Sequence, residues 1–320
     1  MKKLTLNEAI DELKKGEAIG LPTETVYGLA ADATNDKAVG KIFKAKGRPS
    51  DNPLIVHIGH MDQVNELVQD IPDKARLLME RFWPGPLTVI LQSTGIVSPL
   101  VTAGLPTVGI RMPSHPVALE LLQTSRLPLA APSANLSGKP SPTLSEHVVH
   151  DLTGRITGVV EGGASIFGLE STVIDLTTCI PVILRPGGIT REQIEQVIGQ
   201  VNVSEETSDT PKSPGMKYTH YAPVAEVILV KGSLEFLTLQ FNYFKTMGLH
   251  IGILVQDENK SRVPDAAVIK TYGYKGRDLY DALRRFDLEG VDLIMCEYFE
   301  DEAVLNRLMK ASEGRVLEAL

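Results

Sequence analysis

The chain has 320 residues, 43% of them hydrophobic and 22% charged, with a formal net charge of −8 at pH 7. That length suffices for two domains with cores of their own, and the acidic balance with only 5% aromatics argues against a nucleic-acid coat or a stacking platform for single strands. Two cysteines, Cys179 and Cys296, offer neither metal-ligand spacing nor a disulfide framework, and no run approaches the ~18 apolar residues of a membrane span.

The N-terminus, MKKLTLNEAIDELKK, turns acidic within a few residues and lacks the apolar core of a signal peptide, so a cytoplasmic protein is expected. Thr5 and Glu8 have the spacing of a capping box at the start of a helix that buries Leu6, Ala9, Ile10 and Leu13 and stops at Gly16. Ala18–Leu21 reads as a strand followed by the turn PTET. A helix over Asp36–Ala45 buries Val39, Ile42 and Phe43, and the apolar run LIVHI, Leu54–Ile58, is a strand.

Between Lys37 and Arg48 lie five cations and no acid. Lys37, Lys41 and Lys44 have helical spacing and read as a solvated face. Lys46 and Arg48 follow the helical pattern and flank Gly47 just before Pro49, where glycine frees the backbone and proline fixes φ. Two cations of different geometry near one place suit a polyphosphate, and a solvated helix end with favourable dipole interactions is the plainer alternative.

Helices near Met61–Val68 and Asp73–Phe82 end at Trp83-Pro84-Gly85-Pro86. Strands follow at Leu87–Leu91 and Val108–Met112, then a helix at Pro116–Thr124, a strand at Leu129–Ala131 and the polar loop PSANLSGKPSPT. A helix at Leu144–Leu152, strands at Thr157–Val160, Thr172–Leu176 and Val182–Leu184, and a helix at Arg191–Ile198 close the first domain. Strands beside strands as well as beside helices imply a mixed sheet. Residues 201–223 read as a linker, its end, GMKYTHYAP, too aromatic for a featureless tether. From residue 224 onward strands and helices alternate (strands near 227, 251, 267 and 293; helices near 234, 279 and 303), which implies a small parallel α/β domain.

No phosphate-binding P-loop, dinucleotide glycine fingerprint, nucleophile elbow or zinc-protease motif is present in the sequence, and His147 and His150, one helical turn apart, lack a third ligand nearby. What remains is a set of polar groups where apolar strands meet loops: Arg111 after Val108–Ile110, Ser133 and Asn135 after Leu129–Ala131, Ser171 before Val173, and Arg185 after Val182–Leu184. Such strand ends are where open α/β sheets bind ligands. Each has a plainer reading as well: a surface ion pair for either arginine, a turn hydrogen bond for Ser133 or Asn135, a satisfied half-buried imidazole for His57. Taken together, Lys46, Arg48, Arg111 and Arg185 put four cations on loops of one domain, a number that fits a nucleotide polyphosphate.

PTETVYGL (22–29), KGRPSDNPLIVHI (46–58), FWPGPLT (82–88), TVGIRMPSHP (107–116), APSANLSGKPSPT (131–143), GLESTVIDL (168–176) and ILRPGGIT (183–190) resemble the YrdC-type threonylcarbamoyl-AMP synthases, and SPGMKYTHYAP (213–223) resembles the linker of their long, two-domain form. The resemblance implies an N-terminal YrdC-like mixed twisted sheet with helices and an open concave site over residues 1–200, a linker and lid over 201–223, and a Rossmann-like parallel α/β domain over 224–320. It also implies a nucleotidyltransferase that joins L-threonine, bicarbonate and ATP into threonylcarbamoyl-AMP and pyrophosphate, with Mg²⁺ carried by the ATP. The product would pass to tRNA-modifying threonylcarbamoyl transferase proteins, with a weak tRNA contact and no membrane. Arg48, Asn52, Thr107, Ser133, Ser141 and Arg185 match ATP-contacting positions, with Lys46 beside the phosphates and Tyr221 reaching the nucleotide from the linker. Thr25, His57, Arg111, Ala131 (by its backbone) and Ser171 match threonine-contacting positions. Lys46 and Arg48 would stabilise the leaving phosphates. No general base is assigned. Tyr218, His220 and Tyr221 form the expected lid. Two rival readings are a non-catalytic RNA- or nucleotide-binding module using the Lys37–Arg48 face, and a hydrogenase-maturation carbamoyltransferase, whose zinc-finger cysteines this chain lacks.

Overall fold

The computed structural model describes residues 1–204, 221–264, 268–273 and 276–319. Its contacts divide the chain into two units that do not follow chain order: the first takes Met1–Ser137, Pro142–Ile166 and the described part of 170–218, the second Gly138–Ser141, Phe167–Leu169 and the described residues from 221 onward.

In the first unit the strands are β1 (Lys2–Leu4), β2 (Ile19–Leu21), β3 (Gly28–Asp32), β4 (Ile55–His57), β5 (Leu87–Gln92), β6 (Thr107–Arg111), β7 (Leu129–Ala130), β8 (Gly158–Val160), β9 (Thr172–Asp175), β10 (Val182–Arg185) and β11 (Asn202–Val203). The helices are α1 (Leu6–Lys14), α2 (Asp36–Lys46), α3 (Asp62–Leu67), α4 (Asp73–Phe82), α5 (Pro99–Thr102), α6 (Pro116–Ser125), α7 (Ser145–Leu152) and α8 (Arg191–Ile198). The sheet runs β1-β8-β2-β3-β7-β4-β6-β5-β9-β10-β11. It is mixed: β4 and β6 pair parallel, as do β5 and β9, while β5–β6, β4–β7 and β9–β10 are antiparallel.

Because side chains alternate across a strand, each strand feeds two layers. Leu29, Val56, Val89, Ile110, Ile174 and Ile183 bury one face of the sheet against α2, α3, α4, α7 and α8. The opposite face is divided. Over β2, β3 and β7, Ile19, Leu21, Ala30 and Leu129 pack under Ala9, Ile10 and Leu13 of α1 and Ala118, Leu121 and Leu122 of α6. Over β4, β5, β9 and β10 there is a separate small cluster of Ile55, Ile90 and Val173 with partly buried Leu184. By the same alternation His57, Arg111 and Thr88 lie on this second stretch, as do Thr107 and Gly109.

Local signals act as read. Thr5 and Glu8 close a reciprocal capping box on α1, and the structure adds a cap not singled out in the sequence, Asn35, which accepts from Lys37 and Ala38 at the start of α2. One reading needs correction: Lys46 does not follow the helix but is the last residue of α2, buried, with Gly47 as the left-handed cap. Its long stem packs as part of the helix, which carries the cation inward.

The second unit has β12 (Glu226–Lys231), β13 (Ile251–Gln256), β14 (Val268–Tyr272), β15 (Leu293–Glu297) and β16 (Val316–Glu318), with α9 (Leu234–Thr246), α10 (Leu279–Glu289) and α11 (Glu302–Ala311). The strands form an all-parallel sheet in the order β14-β13-β15-β12-β16. Leu237 and Phe241 of α9 pack on Ile251, Ile253 and Val255. Gly252, between them in β13, points to the other face, where a Cβ would lie 2.4 Å from the ring of fully buried Phe286 of α10. Glycine there lets α10 sit against the strand. Among the described residues no helix is long and apolar enough to cross a membrane.

Gly252→Ala should force Phe286 out of its place and destabilise this unit by about 1–3 kcal/mol. Denaturant unfolding followed by far-UV circular dichroism checks this, and an unchanged unfolding free energy would contradict the contact.

Candidate active site

The stretch of the first unit's sheet that α1 and α6 do not pack on collects most of the polar strand-end residues. The register pairs His57 at the end of β4 with Arg111 at the end of β6. Antiparallel pairing of Val89 with Ile110 brings the start of β5, with Thr88, to the same end. Thr88 Oγ1 lies 2.8 Å from Ser171 Oγ, ahead of β9. Arg185, closing β10, donates through Nε to Ser171 O at 3.1 Å and through Nη2 to Ser171 Oγ at 3.2 Å. Arg111, Ser171 and Arg185 thus sit at one end of four neighbouring strands over the apolar floor of Ile55, Ile90 and Val173.

The loop at 22–29 links this end of the site to the cations of α2. At one end Thr25 Oγ1 accepts from Arg111 Nη1 at 2.8 Å. At the other, Gly28 bridges Ser133, and Ala134 N donates to Tyr27 O at 2.8 Å. Thr23 Oγ1 ties the turn together through Thr25 Oγ1 and Val26 O. The Lys46 ammonium donates to the carbonyls of Ser133 and Asn135, so the helix cation and the polar loop after β7 hold each other. Arg48 donates to Asn52 O at 3.3 Å. Lys46, Arg48, Arg111 and Arg185 are all buried. The basic run therefore divides: Lys37 and Lys44 stay exposed and Lys41 pairs with Glu17 at 2.7 Å, whereas Lys46 turns inward.

Other expected residues have their own places. Thr107 starts β6, on the same face as Arg111 but about 13 Å along the strand. Ala131 donates its N–H to Ile55 O at 3.0 Å. Ser141 and Tyr221 belong to the second unit. The expected linker segment with Tyr218 and His220 lies outside the described residues.

Glu24 escaped the sequence reading. Its Oε1 accepts from Arg111 Nη2 at 2.5 Å, and both side chains are almost wholly buried. Burial alone would raise its pKa, but the Arg111 charge and hydrogen bond outweigh that, and the carboxyl is held below its usual range. A lone acid flanked by threonines just after a buried strand was the available signal. Arg111 also donates through Nε to Gly85 O at 3.2 Å. Three of its five N–H groups are thus engaged, which leaves one hydrogen on each terminal nitrogen for a ligand carboxylate. Thr88, which backs Ser171, was also missed as a site residue; its hydroxyl among apolar strand neighbours was the only cue.

Burial, with the Arg111 cation nearby, pushes the His57 imidazole down to about 3, so the ring is neutral at neutral pH. Among the described residues its Nδ1 is buried with no hydrogen-bond partner. The unfolded chain binds a proton near pH 6.5 that the folded chain refuses, so this residue removes stability as pH falls through the window from 6.5 to about 3. His57→Asn should lower the pH dependence of the unfolding free energy there by up to about 1.4 kcal/mol per pH unit, as read from denaturant melts at stepped pH. Glu24→Gln would leave the Arg111 cation buried without its counter-charge. A loss of about 3–5 kcal/mol in the same measurement is expected.

Known proteins match this chain along its length. A family model described as "Telomere recombination" matches residues 11–187, and one described as "Threonylcarbamoyl-AMP synthase, C-terminal domain" matches residues 189–313. The threonylcarbamoyl-AMP synthase of Bacillus subtilis (strain 168) is 53% identical over 319 residues, covering 95% of this chain and 92% of that protein. That of Pyrococcus abyssi (strain GE5 / Orsay) is 45% identical, covering 96% and 93%. A crystal structure of P. abyssi Sua5 complexed with L-threonine superimposes with a TM-score of 0.94 at 43% identity, covering 100% of this chain and 98% of that one.

Proposed function

From the premise that this chain belongs to the threonylcarbamoyl-AMP synthase family, in its two-domain form, we propose that its site performs adenylyl transfer to N-carboxythreonine. The substrates are L-threonine, bicarbonate and ATP. The threonine amine adds to CO2 with loss of a proton, or to bicarbonate with loss of water, to give a carbamate; a carbamate oxygen then attacks the α-phosphorus of ATP as the bond to pyrophosphate breaks. The products are threonylcarbamoyl-AMP and pyrophosphate. This is nucleotidyltransferase chemistry. It belongs in the cytoplasm, where tRNA-modifying threonylcarbamoyl transferase proteins would take the labile product.

Four buried cations, Lys46, Arg48, Arg111 and Arg185, at strand and helix ends of one unit support this reading most directly. Charge grows on the pyrophosphate as it leaves, and Lys46 and Arg48, held by backbone carbonyls, would meet it without reorganising. Arg185, Asn52, Thr107, Ser133, Ser141 and Tyr221 would complete the ATP contacts. Arg111, oriented by Glu24, would take the threonine carboxylate with its two remaining hydrogens. Thr25, Ser171, the Ala131 carbonyl and His57 would surround the rest of the amino acid.

An imidazole with a pKa near 3 is too weak a base to take a proton from an ammonium group, so His57 would contact threonine without activating it. Among the described residues no group of three His, Cys, Asp or Glu side chains gathers to hold a metal, and the charged side chains proposed beside the phosphates, Lys46 and Arg48, are cations. That pair fits a Mg²⁺ carried beside it on the oxygens of ATP. When bound there, the ion neutralises phosphate charge.

The test is pyrophosphate release from ATP, Mg²⁺ and bicarbonate with each amino acid in turn. Release that depends on L-threonine is expected, and Arg48→Ala should cut it by at least about 100-fold while the circular dichroism spectrum is unchanged. Full activity in that variant would remove Arg48 from the phosphate site. Salt-dependent tRNA binding without ATP turnover would favour the RNA-binding reading instead.

A further inference from the structure

Helix α10 carries Tyr280, Arg284 and Asp287 at positions i, i+4 and i+7, a single stripe along the helix. Each of the three holds a different point of two short segments of the same unit, residues 138–141 and 221–224. Arg284 Nη2 donates to Pro140 O at 2.6 Å. Asp287 Oδ1 accepts from Val224 N at 2.7 Å, and its Oδ2 lies 3.9 Å from Lys139 Nζ. The Tyr280 ring stacks on Tyr221, with centroids 5.3 Å apart and planes at 28°. The two segments also bond directly, Ala222 N donating to Gly138 O at 2.9 Å.

Two features make this more than packing. Tyr221 has φ +68°, a left-handed conformation that side chains other than glycine rarely hold, and its surroundings over-determine it. The fully buried Arg307 of α11 sets its guanidinium 5.8 Å from the Tyr221 ring on top of the Tyr280 stack. Arg284 is also more than nine-tenths buried, and burying a guanidinium is costly unless its hydrogen bonds are used. Two buried cations and a strained tyrosine are more than a tether needs. They suit a device that fixes the Pro140–Ser141 peptide and the Tyr221 ring in one arrangement.

We propose that Tyr280, Arg284 and Asp287 are positioning residues for the nucleotide: they touch no substrate, and they set ATP affinity by fixing Ser141 and Tyr221. The proposal rests on the reading above that these two residues contact ATP. It assigns the C-terminal unit a task in the reaction: α10 pre-pays the ordering of two contacts that ATP would otherwise have to order on binding.

The experiment uses the full chain with Arg284→Met, which keeps the apolar stem and removes the donor, and Arg284→Lys, which restores a charged donor. Pyrophosphate release is measured against ATP and against L-threonine, ATP binding is titrated calorimetrically, and Ser141→Ala is run in parallel. Arg284→Met should raise the KM and the dissociation constant for ATP about tenfold, leave the KM for L-threonine within about twofold, and be largely rescued in Arg284→Lys. Unchanged ATP affinity in Arg284→Met while Ser141→Ala weakens it would overturn the positioning role. ATP and threonine constants rising together with a lowered melting temperature, without rescue by lysine, would also overturn it and make Arg284 a structural residue. If Ser141→Ala leaves ATP affinity untouched, the nucleotide contact itself fails and the positioning role falls with it.

Discussion

A carboxylate and a guanidinium share the interior of the first unit, and the geometry of the candidate site follows from that pair. Glu24 and Arg111 come from a turn after β2 and from the end of β6, 87 residues apart. Neither would be stable where it sits without the other, since each alone is a buried charge. Together they fix the direction of the guanidinium and draw Thr25 against it, and the Arg111 charge adds to burial in holding the neighbouring His57 neutral. The turn that supplies Glu24 continues into Gly28, which meets Ser133, which in turn receives Lys46. One buried ion pair is thus mechanically continuous with the cation proposed for the phosphates.

The period-two pattern was readable in the strands. Val56 beside His57, and Ile110 beside Arg111, put polar strand-end residues on the face opposite the main core, and the mixed pairing followed from strands that succeed one another without intervening helices. Element ends were legible wherever a cap or a proline marked them: the capping box at Thr5 opens α1, and Trp83-Pro84 follows the end of α4. β3 was not legible, because Gly-Leu-Ala-Ala-Asp carries almost no strand propensity and is held by neighbours on both sides. Very short strands such as β1 and β11 escaped for the same reason.

For the site, the residue types were legible and their partners were not. That Arg111 and Arg185 matter is visible from their positions after apolar strands. That Arg111 answers to Glu24, and that Ser171 stands between Arg185 and Thr88, depends on which strands lie side by side, and nothing local encodes that. Lys46 shows the opposite limit. A lysine at a helix end reads as solvent-exposed from sequence, yet its ammonium finds two carbonyls of a loop almost 90 residues away.

The pairing of β1 with β8 and of β8 with β2 has a consequence for biosynthesis. Lys2, Lys3 and Leu4 bond to Gly158, Val159 and Val160, and Ile19 and Gly20 share that same partner strand. At a synthesis rate of about 5–20 residues per second, the first strands leave the ribosome roughly 7–30 seconds before the segment that fills the gap between them exists. For that interval the edges of β1 and β2 are unzipped, with Ile19 and Leu21 ready to meet any extended chain nearby. Until β8 is made, each of these strands therefore keeps one unpaired edge that the finished sheet closes.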